Sequence, residues 1–107
     1  MAFEAHELTL DLIGLLHPLL TKLRRSDASL TKQLTTAAAS IALNLAEGAE
    51  RKGGDRKHLF AIAAGSAAEV RSILRVAVAF RYVTPADVAI PLEYIDRIKA
   101  MTYRLKT

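Results

Sequence analysis

Apolar positions recur at three- and four-residue steps in four separate segments of the chain. In the first segment, from about Phe3 to Arg25, they form the stripe of a helix with one buried face. No segment shows the two-residue alternation of a half-buried strand. The pattern therefore predicts an all-α protein. The stripe of the first segment consists of Leu8, Leu12, Leu15, Leu19 and Leu23.

Capping and turn residues separate the four segments. Ser26–Ser29 holds residues that cap helices, so the second helix is predicted to begin there. That helix is expected to end with the cations before Gly53 and Gly54, after which Asp55 can cap the third helix. Thr84 and the proline after it are typical of the start of a fourth helix.

The helices predict an antiparallel up-down four-helix bundle, formed as a single domain by residues 1–107. The third helix, from about Asp55 to Val83, is apolar around most of its circumference and is expected to be the most buried. Pro18 is expected to kink the first helix. Pro91 either kinks the fourth helix or marks its true start.

Composition adds an expectation about partners. Hydrophobic residues make up 51% of the chain and the mean hydropathy is +0.19, so some apolar surface is expected to contact a partner. There is no cysteine, the N-terminus is acidic, and the longest nearly apolar stretch, residues 59–70, is shorter than the about 20 residues that span a bilayer. A cytoplasmic protein without a membrane segment is expected.

The charge balance favours binding to polyanions. Fifteen Lys and Arg against eleven Asp and Glu give a net charge of +4 and a pI of about 9.7. A cationic cluster is predicted at the turn between the second and third helices, joined by Arg104 and Lys106, and is the candidate nucleic-acid site. Alternatively, these cations only solubilise the helix ends and complement the helix dipoles. The next candidates for nucleic-acid binding lie at the opposite end and are Lys22, Arg24, Arg25 and Arg81. The candidate cluster consists of Arg51, Lys52, Arg56 and Lys57.

Catalytic and cofactor motifs are missing from the sequence. The three histidines are far apart, and no metal-binding H-E-x-x-H or E-x-x-H pattern occurs. Asp55 and His58 have a spacing that could share a metal, but Asp55 is better explained as a helix cap. Gly53 and Gly54 lack the spacing of a phosphate-binding loop. We expect that the chain is not an enzyme and that it binds no cofactor, metal ion or small-molecule substrate.

Polar residues interrupt the apolar second and third helices, and two interpretations are open. Glu47 and Glu69 could form an active site with two carboxylates. Alternatively, the two serines are small contact residues that let the helices approach, and Asn44 and the two glutamates are hydrogen-bonded across a helix or subunit interface, because a buried polar group without a partner is costly. The second interpretation is favoured, because Gly65 in mid-helix suggests close packing. The full set is Ser40, Asn44, Glu47, Ser66 and Glu69.

The segments 40–48 and 64–69, together with Gln33 and Arg51, resemble the four-helix-bundle proteins encoded in intervening sequences of 23S rRNA genes. The resemblance implies a ring, typically a homopentamer, similar in shape to the accessory variability determinant proteins of diversity-generating retroelements. Those rings work with a reverse transcriptase and bind nucleic acid. The matching residues, interpreted as architectural, are Asn44, Glu47, Gly48, Gly65, Ser66 and Glu69.

This chain departs from the family pattern at Thr36, where many relatives have an arginine, which removes one candidate phosphate contact. Two hypotheses follow from the residues and the resemblance together. One is an oligomeric, non-catalytic bundle that binds RNA or DNA through a basic end. The other is a protein-protein scaffold whose positive charge only keeps it soluble.

Overall fold

The computed structural model describes residues 1–107 and contains four α-helices and no strand. Each helix packs against two neighbours, in the cyclic order α1, α2, α3, α4 and back to α1. Short turns make successive helices antiparallel, which is the packing expected of an up-down bundle. The predicted all-α class and the number of helices are confirmed. The helices are α1 (Ala2–Ser26), α2 (Ala28–Ala49), α3 (Gly53–Ala79) and α4 (Pro85–Lys106).

Two of the predicted helix starts are confirmed by their hydrogen bonds. The Asp27 carboxylate accepts the backbone N–H of Leu30 at 2.9 Å, so α2 is capped within the predicted segment. At α4, Thr84 Oγ1 accepts the Asp87 N–H at 3.1 Å and the Asp87 carboxylate accepts the Thr84 N–H at 2.8 Å. This reciprocal pair satisfies two backbone donors that a helix start leaves free.

The boundary between α2 and α3 differs from the prediction. Helix α2 ends at Ala49, so Arg51 and Lys52 lie in the turn rather than in the last helical turn. Gly53 adopts a φ of +60°, which redirects the chain within one residue and lets α3 begin there. Asp55 therefore lies in the first turn of α3, and the prediction that it caps this helix is wrong.

The end of α3 also lies earlier than predicted, at Ala79 rather than Val83. The Arg81 N–H donates to Val78 O at 2.9 Å and the Tyr82 N–H donates to Ala77 O at 3.0 Å, which closes the helix with a Schellman motif. Arg81 occupies the left-handed position of this motif with a φ of 65°, where glycine is usual. Backbone conformation, rather than loss of the apolar pattern, ends this helix.

Both internal prolines lie within continuous helices. Helix α1 runs through Pro18, and α4 begins at Pro85 and runs through Pro91. Of the two alternatives for Pro91, a true start at that residue is therefore wrong. Its ring is buried in the bundle.

Burial is not greatest in α3, contrary to the prediction. Helix α2 buries eight of its 22 residues, whereas α3 buries seven of 27 and leaves Ile62 and Val76 exposed. Each helix of the bundle has only two packed neighbours, so part of its circumference must face outward whatever its composition. The core is nonetheless one contiguous cluster of buried residues from all four helices, and Phe60 of α3, which is 1% exposed, belongs to it.

Glycine packing is also distributed differently from the prediction. Gly48 of α2 lies against Phe60, and a Cβ at this position would be 2.7 Å from the Phe60 Cε1 atom. Gly65 of α3 is exposed, and a Cβ there would meet nothing within 4 Å. The predicted close contact between Gly65 and α2 is therefore absent, and Gly48 is where these two helices require a glycine.

Candidate nucleic-acid interface

The predicted cationic cluster lies at the turn between α2 and α3, but its four charges are not equally free. Arg51 forms an ion pair with Glu47 at 3.1 Å. The Arg56 guanidinium lies 5.0 Å from the centroid of the Phe60 ring and donates to Ala49 O at 3.5 Å. Lys52 and Lys57 are exposed and make no side-chain hydrogen bond or ion pair.

Charge differs between the two ends of the bundle. We call residues 1–7, 47–58 and 103–107 the α2–α3 end, and residues 22–32 and 75–87 the α1–α2 end, with 24 residues in each. At the α2–α3 end, six basic side chains accompany five acidic ones, an excess of one positive charge. At the α1–α2 end, six basic side chains accompany two acidic ones, an excess of four. The stronger positive field is therefore at the α1–α2 end.

Both acidic groups of the α1–α2 end have structural partners. Lys22 Nζ donates to the Asp87 carboxylate at 2.7 Å, and this bond, with those from Thr84, lowers the Asp87 pKa from 3.8 to about 2. The Lys22–Asp87 bond holds the end of α1 beside the start of α4. Desolvation, followed by the charge of Asp27, raises the pKa of the Tyr82 hydroxyl. The exposed basic residues here without an ion-pair partner are Arg24, Arg25, Lys32, Arg75 and Arg81.

A basic groove that was not predicted from the sequence runs between α3 and α4. Arg71 and Arg75 lie on its α3 side and Lys99 on its α4 side, with Ser72 between them, and its volume is about 380 Å³. Arg71 also donates to the Asp96 carboxylate at 2.9 Å. The four-residue spacing of Arg71 and Arg75 was visible in the sequence, but Lys99 joins them only because α4 packs beside α3.

The polar residues of α2 and α3 bond to one another. The hydroxyl oxygens of Ser40 and Ser66 are 2.8 Å apart, and Asn44 Nδ2 donates to Ser40 O at 2.8 Å. Only the Ser40–Ser66 contact joins the two helices, because Asn44 bonds within α2 and Glu47 pairs with Arg51 four residues on. The predicted bonding of Asn44, Glu47 and Glu69 across the helix contact is therefore not seen within the chain. Glu47 and Glu69 are both exposed, so they do not form an enclosed pair of carboxylates.

One outward side of α3 has residues without partners in the chain. Ile62, Gly65 and Glu69 are spaced three and four residues apart and are all exposed, and Ser66 adjoins them. Glu69 forms no ion pair or side-chain hydrogen bond. On neighbouring α2, Leu43 is 68% exposed. We call residues 62, 65 and 69 the outer side of α3.

The remaining candidate chemistry stays dispersed. Asp55 and His58 line a shallow cleft of about 180 Å³ together with Glu47, Arg51 and Leu59. No three His, Asp or Glu side chains of the chain are grouped so that they could hold a metal ion. None of the four helices offers a stretch both long and apolar enough to cross a membrane.

These features define an all-α, four-helix protein with one strongly basic end. The family model of the 23S rRNA-intervening sequence protein matches residues 3–104, and the chain belongs to this family. The predicted resemblance is thereby confirmed. A search of curated proteins gave no match.

The fold is also that of a solved structure, described as a protein with unknown function from the S23 ribosomal protein family of Bacteroides thetaiotaomicron VPI-5482. The TM-score is 0.87 at 17% sequence identity, and the similarity covers 96% of this chain and 98% of that one. At this identity the likeness concerns the fold alone.

Proposed function

We propose that this chain is a non-catalytic, self-associating bundle that binds nucleic acid through phosphate contacts at a basic end. The uneven distribution of charge carries the proposal, because four excess positive charges lie at the α1–α2 end. Phosphate contacts depend on exposed cations and need no shaped cavity. The family description refers to 23S rRNA and that of the solved structure to a ribosomal protein family, so RNA is the first partner to test.

Self-association is supported by apolar surface that the single chain leaves open. Leu43 and Ile62 are exposed on neighbouring helices, and Gly65 has open space around it. A glycine in mid-helix costs about 1 kcal/mol relative to alanine, and no contact within this chain explains it. Contact with another copy would explain it. A homopentamer, the number that the family resemblance implies, would contain five chains of 11.7 kDa.

A purely protein-binding scaffold is the second candidate function. The observation that favours it is the same outer side of α3, where Glu69 lacks a partner and Ile62 is exposed. In this alternative the cations solubilise the helix ends and contribute nothing specific to binding. The two candidates differ in whether affinity for nucleic acid depends on particular cations.

The test is a binding titration with duplex and single-stranded RNA and DNA at several salt concentrations. Each phosphate contact should contribute a slope of about 0.9 on duplex DNA, or about 0.7 on single strands, to the fall of log affinity with log salt. Two variants remove four cations each. One changes Arg51, Lys52, Arg56 and Lys57 to Gln at the α2–α3 end, and the other changes Lys22, Arg24, Arg25 and Arg81 to Gln at the α1–α2 end.

We expect the native protein to bind with a steep salt dependence and the α1–α2 variant to flatten it more than the α2–α3 variant. A larger effect of the α2–α3 variant would return the site to the cluster predicted from the sequence. If the native protein shows no binding even at low salt, nucleic-acid binding is refuted and the scaffold function is favoured. Circular dichroism and mass measurements on both variants control for loss of fold or assembly.

A further inference from the structure

We infer that the groove between α3 and α4 extends the phosphate-binding surface of the α1–α2 end along the bundle, with Arg75 and Lys99 as its two free cations. This inference rests on the proposed function and names the site within it. The groove shares Arg75 with the α1–α2 end, so it begins where the excess of positive charge is greatest. It also continues past Arg75 and Ala79 into a second cleft of about 290 Å³ that reaches Pro85.

The lining of the groove is cationic and otherwise made mostly of small residues. Basic side chains come from both helices, and the remaining lining residues are Ala68, Ser72, Val76 and Ala79. Small side chains let a chain of phosphates and sugars approach the helix backbone closely. The Ser72 hydroxyl adds a neutral donor of the kind that commonly contacts phosphate oxygens.

The ion pair at the groove explains which cations are free. Arg71 donates to the Asp96 carboxylate at 2.9 Å, so most of its charge is compensated. Arg75 and Lys99 make no ion pair and no side-chain hydrogen bond with any residue of the chain. Two positive charges on opposite walls repel each other when the groove is empty, and an anion between them relieves that repulsion.

The composition of the groove favours contact with the nucleic-acid backbone rather than with the bases. No aromatic residue lines it, so it has no platform on which bases could stack. Its cations and hydroxyl are donors suited to phosphate oxygens. Binding in this groove should therefore be largely independent of nucleotide sequence.

The first test compares two variants with the same change of charge. Arg75→Gln with Lys99→Gln removes the free cations of the groove, and Lys52→Gln with Lys57→Gln removes two exposed cations at the α2–α3 end. With duplex DNA as the probe, the groove variant should lose a salt slope of about 1.8 per contacting copy. The control variant should keep most of the native slope. Equal slopes in the two variants would overturn the inference, because total charge alone would then set the affinity.

The second test uses a variant that should bind more tightly than the native protein, a result that misfolding cannot produce. Asp96→Asn frees the charge of Arg71, and we expect it to tighten binding and to add a slope of about 0.9 on duplex DNA. Asp11→Asn, at an exposed position of α1 that lines neither cleft, adds the same net charge away from the groove and is the control. If the two variants bind equally, the groove is not the site. If the native protein binds neither RNA nor DNA at low salt, the proposed function fails first, and the inference with it.

Discussion

Gly48 is the position where one added methyl group should have the clearest effect on stability. In Gly48→Ala the new Cβ would lie 2.7 Å from Phe60 Cε1 and 2.9 Å from Cδ1, both well inside van der Waals contact. The ring cannot move freely, because Phe60 is 1% exposed and belongs to the core cluster. Either the ring or the backbone of α2 must shift.

Two opposing effects determine how much Gly48→Ala changes the free energy of unfolding. Overpacking a core by a methyl group costs about 1–3 kcal/mol. Replacing glycine by alanine in a helix gains about 1 kcal/mol at most, and less here because Gly48 is the second-last residue of α2. We expect a net loss of about 1–2 kcal/mol in the free energy of unfolding. For a domain of this size, each kcal/mol corresponds to a shift of about 4–8 °C in Tm.

The assay is urea and thermal unfolding at one fixed protein concentration, because the proposed assembly would make stability depend on concentration. Gly14→Ala in α1 is the matched control, since Gly14 is exposed and a Cβ there meets nothing within 4 Å. That control should gain about 0.5–1 kcal/mol. If Gly48→Ala is as stable as Gly14→Ala, the reasoning from the contact with Phe60 is refuted.

Three further predictions concern strain, protonation and assembly. Arg81→Gly should stabilise the chain by about 1 kcal/mol relative to Arg81→Ala, because only glycine relieves the strain of a φ of 65°, and equal unfolding curves would refute this. The pKa of Asp87 is lowered from 3.8 to about 2 in the folded chain. The ionised Asp87 carboxylate therefore contributes fully to stability above pH 3.8, and this contribution is lost as pH falls toward 2. Asp87→Asn should therefore flatten the stability profile in that window, and an unchanged acid limb would contradict it. Gel filtration with light scattering should give the native protein a mass several times 11.7 kDa, and Gly65→Leu should lower that mass while helix content is kept; a native monomer at micromolar concentration would refute self-association.

Much of the fold could be predicted because local signals agreed with the packing. Asp27 and Thr84 cap helices in the structure as the residues around them indicated. These signals depend on neighbours within four residues, which the sequence displays directly. The starts of α2 and α4 were accordingly predicted well.

Other features could not be predicted because they depend on which helices pack together. Gly48 and Gly65 are both glycines within apolar helices, yet only Gly48 faces an aromatic ring. Similarly, Lys99 is distant in sequence from Arg71 and Arg75 and meets them only across the α3–α4 contact. Three acidic residues beside the basic cluster are visible in the sequence, at positions 47, 50 and 55, but the two that the start of α1 brings to the same end are not.

The two proposals place different residues of α3 in different roles, and this yields a prediction about avidity. If the outer side of α3 joins copies and the groove binds phosphates, each copy in an assembly presents its own groove to one nucleic acid. Linked weak sites then bind far more tightly than a single site. Gly65→Leu should therefore weaken binding to a long duplex strongly but leave binding to a duplex that reaches only one groove almost unchanged. Arg75→Gln with Lys99→Gln should weaken both and keep the native mass. If Gly65→Leu lowers the mass and leaves affinity for the long duplex intact, assembly does not contribute to binding, and a single chain must make all the contacts.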